Sequence, residues 1–432
     1  MERVAIISLI LADSILASVM TTILTTSIIF TPNAATAQPL TTIHKRELTI
    51  ELEPGGSLQT KGELTIPAVG DGPFPGVLLI HGSGATDRDE YLPPMVTGTG
   101  NGSRPFWQIA EYLSERGFVV LRYDKRGIGE NGTILDLDTY AYATVQQFQN
   151  DAEAALNVLM QQPEADRDRI TIIGHSEGAM IAPRIAATER PSQVQNVVLM
   201  SAVAQPISDI VTYQIVNRTL FFAYEEWDVN HDGLLSLDEV FAHPYASLTI
   251  PAISNNNAAA NPSNATATIN DNEDDNKNNN NSNMVATSPL NITTAVQPQQ
   301  WYPGIDANND NLINIDQELL PFMLTQLAEI EASPWFQSHN QLNSTIDIVG
   351  NLNSTNILIL HGEADIQTPL EQALLLEQKL TELGHPDHML ITYAGLGHTF
   401  YPAQGSQQPL GPIQDHVLSD LHSWLKDPDR VG

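Results

Sequence analysis

The sequence predicts an α/β fold: a mainly parallel sheet with helices on both faces, interrupted once by a largely helical insertion. Three observations predict it. Short, almost wholly apolar runs alternate with amphipathic helical stretches through most of the chain, the pattern of strands buried on both faces and joined by helical crossovers. One of these runs, Ile170 to Ile173, ends in Gly174-His175-Ser176-Glu177-Gly178 and passes at once into small helix-forming residues. Between Ser201 and Ile357 the alternation stops and a segment of different composition takes over.

The elements follow in order. From Val4 to Phe30 the chain is apolar or hydroxylic apart from Asp13, and Ala35-Thr36-Ala37 precedes Gln38. Residues 1–37 therefore read as a secretory signal peptide, or as a retained membrane anchor if Asp13 lies near one end of the span. Either places the bulk of the chain outside the cytoplasm, secreted or at the cell surface. Sequons at Asn101, Asn131, Asn217, Asn291, Asn343 and Asn353 suit that address. Alternating residues in Leu48 to Leu52 and Gly62 to Pro67, around Pro54-Gly55-Gly56, predict an antiparallel edge hairpin. Buried strands are expected at Val77 to Ile80, Phe118 to Leu121, Ile170 to Ile173, Val197 to Met200, Ile357 to Leu360 and Met389 to Ile391. Helices are expected at Phe106 to Arg116, Val145 to Met160, Glu177 to Thr188, Leu370 to Leu383 and near Ile413 to Leu425. The core thus falls in two parts, residues 38–206 and 351–432, with a cap inserted over residues 207–350. Within the cap, residues from about 253 to 300 are rich in Asn, Asp and Ala, offer too little apolar surface to offset the entropy of ordering, and read as a disordered linker.

Composition narrows the chemistry. No cysteine is present among 432 residues, so no disulfide framework or thiolate chemistry is available. A formal net charge of −32 argues against a nucleic acid or an anionic membrane surface as the partner and suits cation binding.

The Gly-x-Ser-x-Gly between strand and helix is the context of a nucleophile elbow, where a tight turn lifts the serine above the sheet edge and glycines two residues to either side keep the turn clear. A serine hydroxyl needs a base to take its proton, and the base needs a carboxylate to fix its tautomer. Two downstream loops at strand ends supply them: His361-Gly362-Glu363-Ala364-Asp365 and Gly395-Leu396-Gly397-His398. Asp365 is the expected acid and His398 the expected base, with Glu363 as fallback acid. His175 adjoins Ser176, so the turn should aim its ring elsewhere, and His385 and His388 lie in the turn before a strand. Two donors are expected at the developing oxyanion. One is the backbone amide of Glu177 at a helix N-terminus, and the other is the Ser83 amide in the loop His81-Gly82-Ser83-Gly84. That loop lacks the Lys-Ser/Thr ending of a phosphate-cradling loop.

These stretches carry a resemblance. His81-Gly82-Ser83-Gly84 with Asp87-Arg88-Asp89-Glu90, then Arg122-Tyr123-Asp124-Lys125-Arg126-Gly127, Gly174-His175-Ser176-Glu177-Gly178, and His361-Gly362-Glu363-Ala364-Asp365 with Pro369 are similar to the α/β-hydrolase superfamily. Within it they most resemble bacterial carboxylesterases near the dienelactone-hydrolase and serine-aminopeptidase-like branch. The resemblance covers roughly Ile43 to Ala204 and Asn356 to Leu425. It implies an α/β-hydrolase fold, a Ser176-His398-Asp365 triad and ester hydrolysis through an acyl-enzyme without a catalytic cofactor. Asp124 and Arg126 are expected to hold their loop rather than touch substrate.

The cap carries a second chemistry. Asp228-Val229-Asn230-His231-Asp232-Gly233-Leu234-Leu235-Ser236-Leu237-Asp238-Glu239 fits the twelve-residue EF-hand calcium loop. The expected ligands are Asp228, Asn230, Asp232, the Leu234 carbonyl, Ser236 through water and Glu239. A weaker repeat starts at Asp306, with Asn308, Asp310, the Leu312 carbonyl, Asn314 and, where the closing carboxylate belongs, neutral Gln317; Glu318 is one residue out of register. Calcium is expected to stabilise the cap, and Pro244 should cut the first exit helix short.

The sequence thus implies an extracytoplasmic serine hydrolase acting on a small-molecule ester. A peptidase or aminopeptidase of the same fold is the alternative. So is a calcium-dependent surface binding module with an inactive core, against which a complete triad argues.

Overall fold

The computed structural model describes residues 43–97, 102–187, 194–243, 252–254, 299–301 and 304–427. The expected signal peptide or anchor, the Asn-rich tract from 255 to 298 and Pro244 lie outside them. Among the described residues no helix is long and apolar enough to cross a membrane.

The strands are β1 (Ile43–Glu51), β2 (Gln59–Pro67), β3 (Phe74–Ile80), β4 (Val119–Tyr123), β5 (Ala165–His175), β6 (Val194–Met200), β7 (Leu234–Ser236), β8 (Ala252–Ser254), β9 (Gln299–Trp301), β10 (Leu312–Asn314), β11 (Asn356–Gly362) and β12 (His388–Tyr393). Eight of them form one sheet in the order β1-β2-β4-β3-β5-β6-β11-β12. The hairpin β1-β2 is antiparallel, with Glu51 opposite Gln59, and β2 joins β4 antiparallel; from β4 to β12 every pairing is parallel.

The composition of the inner strands explains their place. Val77, Leu79, Val120, Ile173, Val198, Leu358 and Leu360 pack on one face with the helices Pro105–Ser114 and Asp415–Leu425. Leu78, Ile80, Leu121, Ile172, Val197 and Ile359 pack on the other with Val145–Met160, Glu177–Ala186 and Leu370–Leu383. Strands covered on both sides need no polar alternation, and these have almost none. The helix Val145–Met160 starts where Thr144 and Gln147 form a reciprocal capping box, and Leu370–Leu383 stops at Gly384 with φ +64.

The chain runs from β3 to β4 on one side and then crosses to β5 on the other, so the strand order reverses at β3. At such a reversal the loops leaving β3 and β5 diverge at their carboxyl ends and open a crevice. His81 and Ser176 begin those two loops.

The insertion between β6 and β11 has its own apolar cluster around fully buried Trp227, Leu235, Ile305, Ile313, Ile315 and Leu319, and Met180 of the nucleophile helix joins it. Its described α-helices are Ile207–Thr212, Arg218–Phe222, Leu237–Ala242, Leu320–Glu331, Pro334–Asn340 and Thr345–Ile348. β7 and β10 pair antiparallel, with Leu235 opposite Ile313 at the centre. Removing a buried aliphatic side chain leaves a cavity worth about 2–5 kcal/mol. Leu235→Ala is therefore expected to open the insertion before the main sheet. Hydrogen exchange should show protection lost first in Leu320–Glu331 while β5 and β6 stay protected.

Candidate active site

The centre of the site is a steric constraint. Ser176 has φ +54 and ψ −115, a conformation that side chains rarely adopt. It is held by Ser176 N–H donating to Met200 O at 3.0 Å and by Ala179 N–H donating to Ser176 O at 3.0 Å. A Cβ on Gly178 would sit 2.0 Å from Ile80 O, and one on Gly174 would sit 2.1 Å from Gly178 O. Both positions must be glycine for the helix Glu177–Ala186 to start this close to the end of β3.

Asp365 lies in the loop after β11 and His398 in the loop after β12. Their side chains meet, His398 Nδ1 to Asp365 Oδ2 at 2.8 Å. The carboxylate accepts a hydrogen bond from Nδ1–H, so the neutral ring carries its proton there and leaves Nε2 unprotonated, the tautomer a general base requires. Asp365 also accepts from the Gln367 and Thr368 amides at 2.8 and 3.0 Å and from Thr368 Oγ1 at 2.8 Å. Burial alone would raise its pKa, but the charge and hydrogen bond of His398 hold it well below the usual carboxylate range.

The His398 backbone is anchored beside the serine. Its carbonyl accepts from Ser201 Oγ at 2.7 Å and from His175 Nε2 at 3.1 Å, and His175 immediately precedes Ser176. The structure therefore brings Ser176, His398 and Asp365 to the same, carboxyl edge of the parallel strands.

His175 does not turn away from this centre. Its ring lies 4.8 Å from that of His398, with Nδ1 3.0 Å from Glu90 Oε2. Burial would lower its pKa, but Glu90 raises it above the ordinary value, and Glu90 is held low in return. Glu90 Oε1 also accepts from the Gly82 amide at 2.7 Å, so that amide is engaged, and the Ser83 amide expected as donor follows it in the loop. Glu177 is the first residue of its helix, where an amide has no intrahelical partner. Asp124 accepts from Arg88 N–H at 2.9 Å and Arg126 pairs with Asp151 through two bonds of 2.8 and 2.7 Å, so both brace loops as expected.

Sequence reasoning missed the side chains of Glu90, Lys125, Glu177, Trp335 and His339. Glu177 is 4% exposed, and its carboxylate meets Lys125 Nζ at 3.2 Å, Trp335 Nε1 at 2.6 Å and His339 Nε2 at 2.9 Å. The last two come from the helix Pro334–Asn340 of the insertion. Their spacing of four residues was visible, but nothing in it named a carboxylate partner so distant in sequence.

The two acidic loops expected to hold calcium are built alike. Asp228 accepts from the Asp232 and Gly233 amides at 3.2 and 2.8 Å, and Asp306 from those of Asp310 and Asn311 at 3.2 and 3.0 Å. Asn230 and Asn308 each accept from the acid two residues on, and Asp232 and Asp310 accept from Leu234 and Leu312. Glu239 turns inward to the amides of Val229 and Ser236. Its counterpart is Glu318, which accepts from Ala307 at 2.9 Å and Asn314 at 2.8 Å. This corrects the expected register: Gln317 faces solvent, and a π-helical turn over Ile315–Leu319 takes up the extra residue. The donors of both loops are all oxygen, which suits a hard cation. Among the described residues no three His, Cys, Asp or Glu side chains already converge as a metal cluster, since the loop carboxylates bond the loops' own amides. The first loop's exit helix, Leu237–Ala242, is only six residues long.

Residues 95–293 match the serine aminopeptidase S33 family, and residues 312–421 match the prolyl oligopeptidase family. The chain belongs to the α/β-hydrolase superfamily. It is similar to esterase EstD of Thermotoga maritima, with 36% identity over 154 residues, and to esterase FrsA of Yersinia pestis, with 27% identity over 158 residues. These matches cover 36% and 37% of this chain but only 33% and 32% of the relatives, so the chain spans about a third of the curated relatives' length. Similar solved structures include the α/β hydrolase GrgF from Penicillium sp. sh18, at 15% identity, TM-score 0.44 and coverage of 90% of this chain and 97% of that one. Another is the Pyrococcus horikoshii acylaminoacyl peptidase, at 13% identity, TM-score 0.44 and coverage of 90% and 42%.

One titration follows from the loop after β3. Burial first, and the Lys125 charge second, lower the His81 pKa from 6.5 to about 4, against the opposing charges of Glu90 and Glu177. Between those values the unfolded chain binds a proton that the folded chain does not, so this contribution to stability is lost as pH falls from about 6.5 to 4. His81→Gln keeps a donor for the Tyr123 carbonyl that His81 Nε2 now meets at 3.1 Å. The melting temperature of this variant is expected to fall less between pH 7 and 4.5 than that of the unsubstituted protein.

Proposed function

We propose that this protein is a serine hydrolase that cleaves carboxylic esters of small molecules through an acyl-enzyme on Ser176. The observation that carries the reading is the His398–Asp365 pair at 2.8 Å, set against the backbone that holds Ser176 at φ +54. Ser176 Oγ attacks the ester carbonyl as His398 Nε2 takes its proton. The amides of Ser83 and Glu177 receive the oxyanion. His398 then protonates the departing alkoxide, and the acyl group stays on Ser176. Water enters, gives its proton to His398 and attacks the acyl carbonyl; release of the acid returns the proton to Ser176.

The esterase names of both curated relatives favour an ester substrate, while the matched families, named for peptidases, support a second reading as a peptidase. Short p-nitrophenyl esters and aminoacyl anilides discriminate the two. Ester turnover is expected, with Ser176→Ala and Asp365→Asn each lowering kcat by roughly 10⁴-fold or more. Turnover of anilides alone would establish the peptidase instead, and turnover of neither would leave the binding module.

The N-terminal segment supports an extracytoplasmic address, by secretion or by membrane anchoring, where millimolar calcium fills even weak sites. In the first loop Asp228, Asn230, Asp232, the Leu234 carbonyl, Ser236 and Glu239 would hold calcium. In the second, Asp306, Asn308, Asp310, the Leu312 carbonyl and Asn314 would do so, closed by Glu318. Bound calcium would neutralise the loop carboxylates and fix the insertion; it has no part in the acyl transfer. Chelation is expected to lower the melting temperature by several degrees, since a ligand at 100 times its Kd contributes about 2.7 kcal/mol. Titration calorimetry should find second-loop calcium binding lost in Glu318→Gln and retained in Gln317→Ala.

A further inference from the structure

We infer that the Glu177 carboxylate and Lys125 form a positioning pair that fixes both arms of the oxyanion site and registers the insertion against them. The inference rests on the proposed hydrolase reading, in which the amides of Glu177 and Ser83 are the two donors.

Lys125 Nζ makes two contacts that belong to different arms. It lies 3.2 Å from Glu177 Oε2 and donates to Gly82 O at 2.7 Å. Gly82 C=O and Ser83 N–H belong to one planar trans peptide, so the ammonium grips the far side of the unit whose N–H is the proposed donor. Fixing the carbonyl fixes the direction of the N–H, and a charged donor on the oxygen polarises the whole peptide toward stronger donation. The neighbouring peptide is fixed as well, by Gly82 N–H donating to Glu90 Oε1 at 2.7 Å. On the other arm Glu177 contributes both the amide and the carboxylate that holds Lys125.

The other oxygen of Glu177 faces the insertion. Trp335 Nε1 donates to Oε1 at 2.6 Å and His339 Nε2 meets it at 2.9 Å, with the two rings packed edge to face at 5.0 Å. Lys125 is 2% exposed and Glu177 4% exposed, and the ammonium lies 4.8 Å from the centre of the Phe148 ring. Burial alone would raise the Glu177 pKa, but Lys125, His339 and Trp335 hold it far below the usual range, so the carboxylate stays ionised. A lone negative charge beside a developing oxyanion would oppose the reaction. Lys125 cancels it and turns the same carboxylate into a strut. Removing one half leaves the other's buried charge uncancelled, so the two residues act as a unit.

The test is steady-state hydrolysis of a p-nitrophenyl ester by the full chain, with melting temperatures measured alongside. The unsubstituted protein is compared with Glu177→Gln, Lys125→Met, the double variant and Trp335→Phe, and Ser176→Ala serves as control. Glu177→Gln and Lys125→Met are each expected to lower kcat by about 10- to 100-fold with KM changed by less than about threefold, since a mispositioned donor weakens the transition state and not the bound substrate. The double variant should be no worse than the poorer single. Trp335→Phe, which keeps an aromatic ring but loses the N–H donor and part of the ring volume, should lower kcat by a smaller factor at unchanged KM.

Unchanged kcat in folded variants overturns the inference. So does a rise in KM alone, or a loss that only tracks the melting temperature. If the charge variants do not fold, Trp335→Phe decides by the same kcat and KM criterion. Absence of Ser176-dependent turnover in the unsubstituted protein overturns the hydrolase reading itself, and this inference with it.

Discussion

Everything at the candidate site depends on how closely the start of the helix Glu177–Ala186 approaches the carboxyl end of β3. Gly178 lies so near the Ile80 carbonyl that no side chain fits, and Gly174 lies as near to Gly178. That contact forces Ser176 into its positive-φ turn and brings the loops after β3 and β5 side by side. A larger residue would push the helix outward and separate Ser83 from Glu177. The strained backbone persists because β5 is paired on both sides and buried on both faces.

Three carboxylates sit around this turn, each buried and each held by a cation or an imidazole: Asp365 by His398, Glu90 by His175, and Glu177 by Lys125. Buried pairs of this kind add little net stability, because desolvation offsets most of their attraction. What they contribute is direction. Asp365 sets the tautomer of His398; Glu90 fixes the Gly82 amide while its partner His175 supports the His398 carbonyl; and Lys125 ties the Gly82 carbonyl to Glu177. Loops that would otherwise be mobile are thereby cross-braced on rigid strand ends.

The insertion joins this frame at three places. Gln214 Nε2 and Arg218 Nη1 donate to the Gln367 and Ile366 carbonyls of the Asp365 loop at 2.7 and 3.2 Å. Trp335 and His339 reach Glu177 on the nucleophile side. Glu226, two residues before the acidic loop that starts at Asp228, accepts from Ser406 N–H at 3.1 Å, in the turn that follows the His398 loop. Its two loops stand back to back through β7 and β10, so the helices leaving them share one small core. The position of the insertion is therefore coupled to both sides of the reacting centre through a few polar contacts.

The sequence by itself determined the strand and helix order, because strands buried on both faces must be apolar throughout and helices packed on one side must be amphipathic. The helices Val145–Met160 and Leu370–Leu383 begin and end where periodicity and turn residues put them. Ser176, Asp365 and His398 were legible because each stands next to a strand end in a local pattern with a chemical reason. The tertiary structure alone decided the partners of Glu90, Lys125 and Glu177, since contacts such as Glu177 with His339, 162 residues apart, leave no periodic trace. It also decided that Glu318 and not Gln317 faces the second loop. Counting residues assumes an ordinary helical turn after the loop, and the π-helical turn at Ile315–Leu319 rotates the next side chain inward instead.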